Sequence, residues 1–352
     1  MRELFESTIE RLLGDLSTTE CIRSAESGGW AGGVWEALEE NGFTLASVSE
    51  DNGGVGAGWG DLFVVARAAG RHMAPVPLVE MLLANWLLEL AGLEANDGVL
   101  TVAPEGMLER TGNLISGDLR QVPWGRHSHA VVALLSEGER SSVVLLQTAD
   151  ASAVTKSNNV AGEPRDTLTF TSVSPLAVGE LPDGVGNSSL QLGGAMLRSA
   201  QMAGAMSKAM ELSSNYAAER KQFGRPIAKF QAIQQQLAIM AEQTAAANVA
   251  SESACSASDS HLNAFRIAAA KIATSDGASE AARIAHSVHG AIGFTQEYEL
   301  QLLTRRLWSW RGEFGSSTFW SKVLGEHICA SGSRNFWAAI THSHLQELKL
   351  SR

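Results

Sequence analysis

Apolar positions along this chain change their period twice. From Met1 to about Asn96 they recur at helical spacing, with Phe5, Ile9, Leu12, Leu13 and Leu16 on one face of an amphipathic helix. Val34, Trp35 and Leu38 predict a second helix, and Asn41-Gly42 is a stop signal that tolerates the backbone turn ending it. A glycine-rich loop follows, Ser49-Glu50-Asp51-Asn52-Gly53-Gly54-Val55-Gly56, before the helical period returns over Leu62 to His72 and Leu78 to Ala91. Between about Gly98 and Val185 short alternating runs take over, punctuated by Pro and Gly. Ala130 to Leu135 and Ser142 to Gln147 flank Ser136-Glu137-Gly138-Glu139, a hairpin signal, and Leu168-Thr169-Phe170-Thr171 alternates as a half-buried strand does. From about Ser188 onward the helical period resumes in an alanine-rich sequence.

Gly194 to Ala218, Ala232 to Ala254, Leu262 to His289 and Glu297 to Trp310 all exceed the usual helix length of about 11–12 residues, which predicts a bundle of long helices. Ala200, Ala203, Gly204, Ala246, Ala247 and Ala250 leave little bulk, so these helices can approach one another or a partner closely. The pattern predicts an α+β, mainly α chain in three parts: a helical domain over 1–96, a β domain over 97–186 and a helical bundle over 187–352.

Composition narrows the function. The 352 residues carry a formal net charge of −11, which repels nucleic-acid phosphates and anionic lipid headgroups alike. Cys21, Cys255 and Cys329 are odd in number and far apart, which argues against a disulfide framework or a cysteine zinc site and for a reducing compartment. The N-terminus lacks a secretory leader's basic start and apolar run. Glu80, Asn85 and Glu89 break the longest apolar stretch below the ~18 residues of a membrane span. The expectation is a soluble cytoplasmic protein with no nucleic-acid or membrane partner.

The sequence holds no GxSxG elbow, P-loop, HExxH or GxGxxG. His127-Ser128-His129 and His342-Ser343-His344 are spaced as metal pairs are, but neither has an obvious third ligand nearby. Three other segments carry more. Around Arg220-Lys221-Gln222-Phe223-Gly224-Arg225-Pro226 one helix ends and another begins, and Arg220, Lys221, Arg225 and Lys229 form a cationic corner in an acidic protein. It suits an anion, or it is a solvated turn. The glycines of His289-Gly290-Ala291-Ile292-Gly293-Phe294 either admit a ligand to the backbone or simply cap a helix. In Glu313-Phe314-Gly315-Ser316-Ser317, Ser316 or Ser317 caps the next helix and turns its N–H groups toward an anion. Trp308, Trp310, Trp320 and Trp337 crowd the same region, either as packing or as the lining of an acyl pocket, and packing is the plainer reading.

In this order the three segments resemble the acyl-CoA dehydrogenase family, as does the succession of helices, β domain and helices. Glu219 to Ala238 is similar to the family signature ERxQFGxPIxxFQxxQxxLA, and His289 to Tyr298 to its HGGxGFTxEY stretch. Ser49 to Gly56 resembles the PExxGGxG loop, and Asn159 to Asp166 a middle-domain turn of some bacterial members. The resemblance implies FAD, with Arg220 at the diphosphate and Gln222 and Phe223 at the adenosine half, Gln231 being nearby. It also implies contact at Gly290, Ala291 and Gly293 with the flavin of a neighbouring subunit; Ser316 joins this cofactor set from its own reading as an anion-facing helix cap.

Family members take the α proton of an acyl-CoA with a glutamate, while the β hydride passes to the flavin. An ungapped match puts Phe314 where many members have that glutamate, with Glu313 one residue earlier, and turned by ~100° if the segment is helical. The other family position for the base falls on Gly194. Ser287 and Ala291 replace a glutamine and a glycine of the second motif, and Thr101 to Gly106 retains little of the family's flavin loop. The resemblance therefore points to a subunit lacking the base, as in heteromeric bacterial members of steroid side-chain degradation: an α2β2 assembly in which a homologous chain supplies the glutamate and an electron-transfer acceptor reoxidises the flavin. Three alternatives remain at this point: a self-sufficient homo-oligomer using Glu313, an oxidase or monooxygenase on the same scaffold, and a flavin-free structural subunit.

Overall fold

The computed structural model describes residues 1–96, 98–137, 140–182, 188–258, 261–332 and 337. Five helices lead: α1 (Arg2–Leu16), α2 (Thr19–Glu26), α3 (Gly32–Glu40), α4 (Trp59–Arg71) and α5 (Leu78–Leu90). Strands follow as β1 (Leu100–Val102), β2 (Glu105–Thr111), β3 (Leu114–Pro123), β4 (Ala130–Glu137), β5 (Arg140–Gln147), β6 (Ala153–Thr155), β7 (Arg165–Val173) and β8 (Ala177–Glu180). Then come α6 (Ser189–Glu219), the short pair β9 (Lys221–Gln222) and β10 (Arg225–Pro226), α7 (Gln231–Ser256), α8 (Ala264–His289), α9 (Leu300–Trp310) and α10 (Ser317–Ser331). The mainly helical α+β class stands, and no described helix is long and apolar enough to cross a membrane.

Two compact units divide these elements. The first comprises Met1, Arg11–Leu62 and Ala74–Gly194; the second comprises Arg2–Glu10, Phe63–Met73 and Ala195–Arg352.

In the first unit two four-stranded sheets, ordered β1-β4-β5-β8 and β2-β3-β7-β6, enclose a core that includes Ile115, Val131, Val144, Leu168 and Phe170. All pairs are antiparallel except β1 with β4. The expected hairpin is β4-β5, in register from Ala130↔Gln147 to Glu137↔Arg140, while Gly138 and Glu139 of its turn lie outside the described residues. Leu168 and Phe170 point inward and Thr171 outward, as alternation requires. The turn at Asn159 to Asp166 is pinned from within. The fully buried Asp166 carboxylate accepts from the Arg126 backbone N–H at 2.7 Å, the Arg126 guanidinium at 2.6 Å and the Ser157 N–H at 3.1 Å.

Helix α2 is absent from the periodicity reading because only Ile22 and Ala25 of its eight residues are buried. Thr18 starts it by accepting from the Cys21 N–H at 3.2 Å. The helix carrying Val34, Trp35 and Leu38 is therefore the third. None of the three cysteines forms a disulfide among the described residues.

The second unit is built on α6, 31 residues long, with α7 and α8 at 26 residues each. Helix α6 starts at Ser189, five residues before the expected Gly194. Helix α9 starts at Leu300 rather than Glu297, because Gly290–Phe294 forms a 3-10 turn ahead of it. Small residues do bring α6 and α4 close. A Cβ on Gly204 would stand 1.9 Å from the carbonyl oxygen of Arg67, and one on Gly70 would stand 1.9 Å from that of Gln201. Neither backbone can yield, so Gly204→Ala is expected to lower stability by about 3 kcal/mol, the upper end of overpacking costs; an unchanged urea midpoint would contradict this crossing.

Candidate active site

The sequence-predicted residues fall at the two ends of α6. At its C-terminus, Arg220 closes the last turn by donating its backbone N–H to Tyr216 at 2.8 Å. The chain then reverses through the β9-β10 pair, Lys221↔Pro226 and Gln222↔Arg225, with Phe223 at φ 51° and Gly224 at φ 79° in the left-handed region. Gly224 is suited to that conformation, and Phe223 takes it at some steric cost. Arg220, Lys221, Gln222, Phe223 and Gln231 are exposed. Phe223 is 89% exposed, with its ring edge-on to Phe230 at 6.1 Å, and Arg225 lies 4.4 Å over the same Phe230 ring. Among the described residues no carboxylate forms an ion pair with Arg220, Lys221, Arg225 or Lys229.

Beside this turn stands the Gly290–Phe294 segment. Gly290, Ala291 and Phe294 are exposed and Gly293 is buried, tight against the side chains of His289, His286 and Leu300. Tyr216 joins the two segments: its ring stacks on His289 at 4.5 Å. Burial holds the pKa of both His286 and His289 below the usual imidazole range.

At the other end of α6 lies the bend after α9. Arg198, almost wholly buried, donates from Nε to Glu313 Oε2 at 2.8 Å and from Nη1 to Gln201 Oε1. Its guanidinium lies 5.9 Å from the Trp310 ring centroid and 5.7 Å from that of Phe314. Phe314 is buried at φ 53°, and its carbonyl accepts from Trp320 Nε1 at 3.0 Å. Lys271 on α8 is fully buried and donates to the carbonyls of Arg311 at 2.8 Å and Trp310 at 3.3 Å, and to Ser275 Oγ at 3.3 Å. Burial pulls its pKa down to about 7, against the pull of Glu313 upward and with a smaller push from Arg198 downward. Ser316 caps α10 by accepting from the Phe319 N–H at 3.2 Å.

The structure thus joins the signature turn to the glycine turn and sets Glu313 with Ser316 elsewhere. Arg198 and Tyr216 are eighteen residues apart on α6, about 27 Å at 1.5 Å per residue. Trp310 and Trp320 are core residues, whereas Trp308 and Trp337 are exposed. His127 stacks on Trp30 at 5.6 Å, and His342-Ser343-His344 lies outside the described residues. No group of three candidate metal-ligating side chains occurs among the described residues.

Residues 189–326 match the family model described as acyl-CoA dehydrogenase, C-terminal domain. Over that stretch the chain is similar to the C-terminal domain of acyl-CoA dehydrogenases. Over 321 residues, 87% of this chain and 91% of the relative, it is 27% identical to acyl-CoA dehydrogenase IpdE2 of Mycolicibacterium smegmatis. Among solved structures it resembles the ChsE4-ChsE5 complex from Mycobacterium tuberculosis, with a TM-score of 0.85 and 20% identity over 94% of this chain and 98% of that one. A variant of the Tcur3481-Tcur3483 steroid ACAD gives 0.82 and 23% over the same shares. At these identities the structural likeness is one of fold, and the fold is that of acyl-CoA dehydrogenases.

Sequence reasoning passed over Arg198 and Lys271 in these helices. Each is a lone cation within an apolar helical run, Ala195-Met196-Leu197-Arg198 and Ala268-Ala269-Ala270-Lys271-Ile272. That pattern signals a buried charge with a partner elsewhere.

Proposed function

We propose that this chain is a subunit of an FAD-dependent acyl-CoA dehydrogenase that introduces a Cα–Cβ double bond into an acyl-CoA, holding FAD together with a homologous partner chain that supplies the catalytic glutamate. The observation that carries this reading is at the bend. The position the family uses for its base is filled by a phenyl ring, and the neighbouring Glu313 is engaged by the buried Arg198. Its Oε2 is already committed to the Arg198 guanidinium rather than open to a substrate proton.

Residues at the other end fit the cofactor. Cations at Arg220, Lys221, Arg225 and Lys229, paired with no carboxylate among the described residues, suit a diphosphate, and the exposed rings of Phe223 and Phe294 suit flat heterocycles. A Cβ at Gly224 or Gly290 would meet nothing within 4 Å, so backbone is open to a ligand there. In this reading Arg220 meets the diphosphate and Gln222, Phe223 and Gln231 meet the adenosine half. Gly290 and Ala291 lie against a neighbouring subunit's flavin, Gly293 packs the turn behind them against His289, His286 and Leu300, and the α10 N-terminus behind Ser316 adds positive backbone dipole. When bound, FAD supplies the acceptor for the hydride leaving Cβ, and an electron-transfer partner then takes the electrons.

The separation along α6, about 27 Å between Arg198 and Tyr216, supports completion by another chain, since the cationic corner and Glu313 lie toward opposite ends of that helix. Helix α7 also offers an interface. Ile239 and Val249, with Ala238, Ala241, Ala245 and Ala246, are exposed along it. The names of the relatives favour a heteromer, α2β2 in the fullest form, with a steroid-sized acyl group. Residues 187–352 would then be the bundle that carries both FAD and the interface. Glu313→Gln in the co-purified complex tests the assignment, because Gln keeps an acceptor for Arg198 while removing any basic carboxylate. Flavin reduction by acyl-CoA is expected to stay unchanged; a fall of about 10²- to 10⁴-fold, the usual loss on removing a general base, would return the base to this chain.

A further inference from the structure

The chain has only two tyrosines, and both stand against one histidine. His289, the last residue of α8, is 3% exposed. Tyr216 stacks on its ring at 4.5 Å and 24°, while the ring of Tyr298 stands at 5.1 Å. The two ring nitrogens have distinct tasks. Nδ1 lies 2.8 Å from the carbonyl of Ala285, which can only accept, so Nδ1 carries the hydrogen. Nε2 is then a bare lone pair, and the Tyr298 hydroxyl, 3.2 Å away, donates to it. Burial disfavours charge on both groups, lowering the imidazole pKa and raising the phenol's, so this neutral pairing persists.

Between these partners runs the glycine turn. It leaves α8 at Gly290, φ 64° and ψ −142°, and it returns to the helix end only at Tyr298. One turn earlier on α8, His286 stacks on Phe294 at 4.1 Å and 19°, with Nε2 2.9 Å from Thr304 Oγ1. Two histidines at i and i+3 thus grip the same excursion, one at its base and one at its crown. The far side of the stack leads to the signature turn. The Tyr216 carbonyl accepts from the Arg220 N–H at 2.8 Å, and the Arg220 carbonyl accepts from the Ile227 N–H at 2.8 Å.

We propose that the Tyr216-His289-Tyr298 stack, closed by the Tyr298 to His289 hydrogen bond, is a clip that positions the glycine turn and the signature turn together for FAD. The proposal rests on the FAD reading above. The three residues are positioning residues: they hold backbone that faces the cofactor rather than touching it. The driving logic is preorganisation. A turn rich in glycine loses more chain entropy on ordering than any other, and a clip at its base removes that loss before the ligand arrives.

Tyr298→Phe keeps the ring contacts and deletes only the hydroxyl. In the co-purified complex its FAD dissociation constant is expected to rise about three- to tenfold, the range of one net hydrogen bond. Amide hydrogen exchange over residues 290–298 of the chain without FAD is expected to accelerate, while the unfolding temperature and exchange within α6 stay as in the wild type. Tyr216→Leu, which keeps bulk but removes the stacked ring, gives an independent reading and should weaken FAD binding and loosen both turns. Wild-type FAD affinity and wild-type exchange in these variants would overturn the clip while leaving the FAD reading intact. Failure of the wild-type complex to hold FAD would instead overturn that reading, and the clip's purpose with it. If Tyr298→Phe does not fold, the hydroxyl is structural and the clip's role in cofactor positioning is refuted unless Tyr216→Leu shows the localised loosening.

Discussion

Arg198→Met is expected to destabilise the chain by about 3–5 kcal/mol, the cost of removing one partner from a buried ion pair. Arg198 is 2% exposed, and its acceptors include Gln201, one turn on along α6, and Glu313, brought to it by the bend after α9. Met fills the volume between Trp310 and Phe314 but leaves the Glu313 carboxylate without its guanidinium in a poorly hydrated place. The double variant Arg198→Met, Glu313→Leu should recover most of the loss, because the stranded charge goes with its partner. Urea unfolding of the two variants checks this. A loss under about 1 kcal/mol for the single change, the range of an exposed pair, would contradict a load shared between Arg198 and Glu313.

Lys271→Met is expected to change the pH dependence of stability more than stability itself. In the folded chain Lys271 holds its proton only below about 7, whereas an unfolded lysine keeps it up to 10.5. Between these values unfolding takes up a proton, so the wild-type chain grows more stable as pH rises through the window. Below about 7 both states are protonated and the penalty is complete; above 10.5 both are neutral and it is gone. At about 1.4 kcal/mol per pH unit the gap amounts to about 5 kcal/mol. Met escapes that penalty but leaves the carbonyls of Trp310 and Arg311 without the lysine's donated bonds, a loss of similar order. The variant should therefore lie near wild-type stability at pH 7 and fall below it at pH 9–10, about 1.4 kcal/mol per pH unit shallower in slope. Parallel profiles for the two proteins would contradict a lowered Lys271 pKa.

These two cations also mark where the sequence could and could not be read. Long helices were legible because α6, α7 and α8 repeat their small apolar residues for many turns, and the β4-β5 hairpin because alternation persists over a whole strand pair. Helix α2 was not, since two buried residues define no period. The signature and glycine turns were legible as motifs, but their meeting through Tyr216 and His289 was not, as those residues lie 73 positions apart. Glu313 could be found and its environment could not: a carboxylate's chemistry is set by what it faces, and Arg198 lies 115 positions earlier in sequence. The β9-β10 pair is likewise a tertiary finding, because Gln222↔Arg225 pairing requires Phe223 and Gly224 both to turn left-handed.

The most direct measurement is the visible absorption spectrum of this chain purified alone and again with a homologous acyl-CoA dehydrogenase chain co-expressed beside it. The account predicts a flavin band only in the co-purified complex, bleached when acyl-CoA is added. Flavin retained by this chain alone and bleached by acyl-CoA would contradict it, and would place a working base within this chain.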